Sequence, residues 1–165
     1  MKIAIIGATG LVGGKMIQVL KEQKLRLDEI IFAASEKSVG KKILFQDKEL
    51  TVISVEEAIE KKPDIAIFSA GAEASLKYAP LFAANGTYVI DNSSAWRKDP
   101  DIPLVVPEIN AADININNHI IQTFCSTNEQ HNTLGRGIAE NKKWRTVYFN
   151  TIIHHQTITL KTTIQ

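Results

Sequence analysis

Residues 2–14 read KIAIIGATGLVGG, and few folds accept that order of side chains. An apolar strand, Ile3-Ala4-Ile5-Ile6, runs straight into Gly7-Ala8-Thr9-Gly10-Leu11-Val12-Gly13, behind which a helical pattern opens. Small residues at 7, 10 and 13 let the backbone turn sharply and bring the first N–H groups of the helix close to whatever lies in front of them. The partial positive charge of a helix N-terminus favours an anion there, and a diphosphate fits the opening. The spacing is G-x-x-G-x-x-G, a relative of the G-x-G-x-x-G fingerprint, and its place between strand and helix makes it more specific than the bare pattern. The same run also suits a ligand-free β–α turn.

The rest of the chain repeats the β–α logic. A first helix is predicted over 11–24, with Val12, Met16, Val19 and Leu20 on its apolar face. A second strand over 29–34 leads into the polar, basic loop Ser35–Lys42. Residues 43–45 and 49–52 read as a short hairpin around Gln46-Asp47-Lys48. Ser54, followed three residues on by Glu57, has the form of a capping box for a small helix. Residues 64–69 form a buried-type strand ending at Ala70-Gly71. A helix follows over 74–84, with apolar residues at 76, 79, 82 and 83, and Gly86 ends it. Tyr88–Asp91 is the next strand. Short apolar strands alternating with helices predict a parallel sheet covered on both faces. Beyond Ala95 three prolines (Pro100, Pro103, Pro107) punctuate a loop, Ile120-Ile121 leads towards Cys125, and residues 146–163 read as strand-like.

At 165 residues the chain has the length of one ordinary domain. A formal net charge of +1 gives no reason to expect nucleic acid or an acidic membrane surface as partner. No apolar run approaches the roughly 20 residues that span a bilayer, and the N-terminus lacks the form of a secretory signal. A single cysteine, Cys125, excludes an internal disulfide and suits a reducing compartment, so cytoplasm is the expected location. His154 and His155 would point to opposite faces of a strand, and His119 and His131 have no partner at ligand spacing, so no metal site is expected. Glu56, Glu57 and Glu60 with Lys61 and Lys62 read as a solvated helix face.

Taken together, GATGLVGG at 7–14, the loop 35–42, FSAG at 68–71, YAP at 78–80, IDNSSAWRKDPDIPLVVPEIN at 90–110 and CST at 125–127 resemble the aspartate-semialdehyde dehydrogenases. The resemblance covers residues 1–127. The acyl-phosphate reductases of arginine biosynthesis share the fold and chemistry, but the 90–110 segment is closer to the aspartate branch. The resemblance implies a Rossmann-like, doubly wound, mostly parallel α/β sheet over 1–127, with 128–165 as a divergent start of a second α+β domain. It implies NADPH-dependent reduction of aspartyl phosphate to aspartate semialdehyde through a cysteine thioester, in lysine, methionine and threonine biosynthesis. Homo-oligomers occur in the intact family.

Residue by residue, the resemblance puts Gly7, Thr9, Gly10, Leu11, Val12 and Gly13 at the diphosphate. It puts Ser35, Lys37 and Ser38 at a 2′-phosphate, Ser69, Ala70 and Gly71 against the cofactor, Asn92 and Arg97 on the substrate phosphate, and Cys125 as nucleophile. The residue types suit those tasks. A thiolate attacks acyl carbon well and its thioester remains reducible; an arginine fork holds phosphate through parallel bonds. Lys37 and Lys41 favour NADP over NAD, while Glu36 works against them. The chain also departs from the family. Gln122-Thr123-Phe124 stands where the family has Asn-Pro-Asn or a close variant, and the stretch 128–133 is uniformly polar. The family's acid/base histidine and carboxylate-binding arginine have no counterpart here. A feeble or absent chemical step is therefore expected, with a non-catalytic NADP-binding remnant or a reductase of another acyl phosphate as alternatives.

Overall fold

The structure, a computed structural model, describes residues 1–22, 25, 27–105, 110, 113–115 and 117–123. Among them, β1 (Lys2–Ile6), β2 (Glu29–Ala33), β5 (Ile65–Phe68), β6 (Tyr88–Asp91), β7 (Leu104–Val105) and β8 (Ile120–Thr123) build one sheet in the order β2-β1-β5-β6-β8-β7. Every pairing in it is parallel. Helices α1 (Leu11–Glu22), α2 (Val55–Glu60) and α3 (Ala72–Ala84) accompany it. The expected α/β architecture, doubly wound and Rossmann-like, is the one observed.

Strand alternation divides the core in two. Ile3 and Ile5 of β1, with Ile65 and Ile67 of β5, face Ile17 and Leu20 of α1 and Phe45 and Val52 of the hairpin segment. Ala4, Ile6, Ala66 and Phe68 point the other way, towards Val55 and Ala58 of α2 and Ala79 and Phe82 of α3. Burial on both faces explains why these strands read as continuous apolar runs. The hairpin forms outside the sheet from β3 (Lys42–Phe45) and β4 (Lys48–Thr51). Gln46 and Asp47 turn it with φ of 46° and 65°, the two positive values that a tight hairpin turn demands. Ser54 caps α2 by accepting from the Glu57 amide at 3.1 Å, as its position predicts.

Two helix faces differ from the sequence reading. On α1 the buried residues are Gly13, Ile17 and Leu20, whereas Val12, Met16 and Val19 are only half-buried. Gly13 carries no hydrophobic signal, yet it packs most tightly because its missing side chain lets the helix close on the Gly7 carbonyl. On α3 the buried set is Ser75, Ala79 and Phe82, and Leu76 is 53% exposed. Nor is Glu56 simply solvated. It accepts a 2.6 Å hydrogen bond from Tyr78 Oη on α3, which holds its carboxyl below the usual glutamate range. Among the described residues no helix is long and apolar enough to cross a membrane. The expected strand over 146–163, the histidines 131, 154 and 155, the boundary at 127/128 and Cys125 lie outside the described residues.

Candidate functional site

The chain leaves β1, visits β2 on one side, then crosses back to β5 on the other. A crevice therefore opens at the carboxyl ends of β1 and β5, where ligands collect in open α/β sheets. Gly7 begins the turn out of β1 with φ +87°, a conformation side chains resist. A Cβ on Gly7 would also stand 2.8 Å from the Ser69 carbonyl oxygen. The Gly7 and Ala8 amides both donate to the Ala33 carbonyl, at 2.8 and 3.1 Å, and the Gly10 amide donates to Gly7 O at 3.0 Å. Gly14 N–H returns to Gly10 O at 2.9 Å, closing the first helical turn. The amides of Leu11, Val12 and Gly13 stand at the helix start, where helix geometry provides no intrahelical partner. With no acidic residue in that first turn, the positive end of α1 is uncompensated. Thr9, Gly10 and Leu11 are exposed around this opening, Leu11 to 87%.

The loop after β2 closes one flank. Ser35 and Lys37 are exposed and Ser38 is buried, all three around a 3-10 turn over Glu36–Ser38. Ser38 Oγ receives a 3.2 Å hydrogen bond from Thr9 Oγ1 and a 3.3 Å bond from Lys41 Nζ. The two sequence-predicted loops thus meet at Thr9 and Ser38, and Lys41 joins them. A cleft of about 370 Å³ continues from this corner past Thr9, Gly10, Gln18, Lys21, Lys41 and Lys42. Its charged lining residues are all basic, a wall suited to an anionic ligand.

On the opposite flank, Ser69 N donates to Ile6 O at 2.8 Å, which stitches the Ser69-Ala70-Gly71 turn to the base of the glycine loop. Gly71, at φ +87°, caps α3. The next connection, from β6, starts with the Asn92 amide donating to Phe68 O at 3.1 Å, so Asn92 stands beside this turn. Asn92 is half-buried and Arg97, at the end of the loop, is exposed. Cys125 falls outside the described residues, two positions past the end of β8. The sequence reading missed what supports the 92–97 loop, namely Ser75, Asp91, Trp96 and Gln122. A serine on an otherwise apolar helix face and an aspartate closing a buried strand were the available signals.

A parallel sheet with its strand order reversing at β1/β5, a glycine-paved turn into α1 and a basic flank after β2 together define a dinucleotide-binding α/β domain. The match to known proteins is narrower than that class. Residues 2–116 match the family model "Semialdehyde dehydrogenase, NAD binding domain", and the chain belongs to that family. The aspartate-semialdehyde dehydrogenase of Aquifex aeolicus is 52% identical over 114 residues, covering 68% of this chain and 34% of the relative. Aspartate-semialdehyde dehydrogenase 2 of Vibrio cholerae is 48% identical over 128 residues, covering 76% of this chain and 38% of the relative. The crystal structure of aspartate semialdehyde dehydrogenase II from Vibrio cholerae complexed with ASA superposes with a TM-score of 0.70 at 48% identity, over 74% of this chain and 40% of that one. The chain therefore spans little more than a third of the length of the curated relatives it matches.

Proposed function

We propose that this chain is the NADP-binding portion of an aspartate-semialdehyde dehydrogenase, the activity that interconverts aspartyl phosphate and aspartate semialdehyde. The observation that carries the reading is the glycine cradle between β1 and α1. Gly7 and Gly13 leave no room for side chains at the place where three helix-start amides converge. A dinucleotide diphosphate fits that cradle. In this reading Gly7, Thr9, Gly10, Leu11, Val12 and Gly13 hold the diphosphate through backbone amides. Ser35, Lys37 and Ser38, with Lys41 alongside, hold a 2′-phosphate, and Ser69, Ala70 and Gly71 line the path towards the nicotinamide. When bound, NADP supplies a hydride acceptor or donor at its nicotinamide.

The chain's own residues supply the acyl chemistry. The Cys125 thiolate attacks the acyl carbon of aspartyl phosphate, a carbon–sulfur bond forms, and the carbon–oxygen bond to phosphate breaks. Asn92 and Arg97 hold the departing phosphate, the guanidinium through two parallel hydrogen bonds.

Calorimetric titration with NADP and NAD tests the binding half of the proposal, and the expected result is tighter binding of NADP. Binding of neither nucleotide overturns it. NADPH consumption with aspartyl phosphate, compared between the wild-type chain and Cys125→Ala, tests the catalytic half. Turnover abolished by the substitution supports it. Tight NADP binding without turnover in either protein makes the chain a nucleotide-binding module instead.

A further inference from the structure

We infer that Gln122 is a positioning residue: with Asp91, Ser75 and Trp96 it locks the loop 92–97 into the one conformation that presents Asn92 and Arg97 to a phosphate. The inference rests on the phosphate-holding role proposed for those two residues. Its basis is a polar cluster sealed beneath the loop, in which Gln122, Asp91 and Ser75 are each 0% exposed.

The hydrogen bonds run consistently from donor to acceptor. Asp91 only accepts: from the Ser93 amide at 2.8 Å, from Ser93 Oγ at 2.8 Å and from Ser75 Oγ at 2.5 Å. Each hydroxyl then accepts in its turn, Ser93 Oγ from the Ala95 amide at 3.0 Å and Ser75 Oγ from Trp96 Nε1 at 3.2 Å. Gln122 closes the circuit. Its Oε1 accepts from the Trp96 amide at 3.2 Å, and its Nε2 shares two hydrogens among the carbonyls of Asp91, Ser93 and Thr123, at 3.0, 2.6 and 2.8 Å. One side chain of β8 thus satisfies backbone groups at both ends of the loop that begins on β6, while α3 anchors the loop through Ser75.

The loop has no regular secondary structure to hold its shape, so its backbone polar groups need these partners. Deleting the Gln122 amide would strand the Trp96 N–H and loosen the Asp91 and Ser93 carbonyls. A loop free to move must then be ordered each time an anion binds, and that cost comes out of affinity.

The probe is inorganic phosphate, titrated into the full ¹⁵N-labelled chain while the amide resonances of residues 92–97 are followed, with NADP affinity measured separately. Wild-type amides in that loop are expected to shift on saturation, and Arg97→Ala to abolish the shift. Gln122→Met keeps the volume and removes the amide; it should weaken phosphate at least about tenfold with NADP affinity within about twofold of wild type. A purely structural role for Gln122 would not separate the two ligands. Equal phosphate affinity in Gln122→Met, or no phosphate response in the wild-type loop, overturns the inference whatever NADP does. Failure to bind NADP overturns the proposed function and leaves the loop result to be read independently. Should Gln122→Met not fold, Trp96→Phe, which removes the indole N–H bond to Ser75 and trims the ring's packing on the core, decides. Weakened phosphate there supports the inference and unchanged phosphate overturns it.

Discussion

A methyl group added at Gly13 would drive into the Gly7 carbonyl oxygen, whereas one added at Gly14 would meet nothing within 4 Å. Both residues lie in the first turns of α1, where alanine is favoured over glycine by about 1 kcal/mol. At Gly14 that preference acts alone. Gly14→Ala should therefore raise stability by about 0.5–1 kcal/mol. At Gly13 the gain is opposed by overpacking against backbone that is itself pinned to Ala33, a cost of about 1–3 kcal/mol in well-packed interiors. Gly13→Ala should lower stability and, by prising open the cradle, weaken NADP at least about tenfold, a loss of about 1.4 kcal/mol. Urea unfolding and a nucleotide titration on the two variants measure these effects. A Gly13→Ala chain that binds NADP as well as wild type would mean that the diphosphate is not held by this turn.

Between elements, the contact from α3 to α2 through Tyr78 and Glu56 gives stability a pH dependence with a definite sign. The Tyr78 hydroxyl stabilises the ionised Glu56 carboxylate and is the main reason its carboxyl is held low. A depressed folded-state value contributes stability above the ordinary glutamate range, and that contribution is lost as pH falls through the lowered value. Lys77, which also donates to Tyr78 Oη and is itself raised, stays charged throughout that window and adds no slope there. Glu56 is exposed, so Tyr78→Phe should cost only about 0.5 kcal/mol at neutral pH. The difference from wild type should vanish in acid; a gap that persists there would put the loss in packing rather than in the hydrogen bond. This pair was not legible from sequence, where Glu56 belongs to an ordinary charged helix face. The strands, the Gln46-Asp47 hairpin turn and the Ser54 cap were legible because their causes are local: alternation of apolar runs, turn chemistry, a side chain reaching its own backbone. The burial of Ser75 and Gln122 has tertiary causes, a carboxylate and a loop brought in from elsewhere in the chain. Hydrophobic periodicity registers neither of these. The glycine loop was visible as a motif for the same local reason, whereas the clamp under residues 92–97 exists only once β6, β8 and α3 have assembled.

Across the whole molecule charge nearly cancels, to a formal +1, so any preference between nucleotides must come from local arrangement and not from a global field. The arrangement is the 35–42 loop. Lys42 is engaged with Glu49 at 3.0 Å and Lys41 leans on Ser38; in the proposed reading Lys37 and Lys41 are the cations that meet a 2′-phosphate, with Glu36 beside Lys37 in the same loop. All three are exposed, and attractions between exposed charges fade as the screening length contracts from about 10 Å at 0.1 M salt to about 3 Å at 1 M. The preference for NADP over NAD should therefore be largest at low ionic strength and shrink several-fold as salt rises, while binding of the shared diphosphate, made through amides at a helix start, declines less. Thermal unfolding reads the same quantity, because a ligand at a hundred times its dissociation constant stabilises the fold by about 2.7 kcal/mol. The protection conferred by NADP and by NAD, compared at low and high salt, should converge. If NAD protects better at low salt and the gap closes from that side, Glu36 governs the corner instead, rejecting the extra phosphate by repulsion, and the lysines are bystanders.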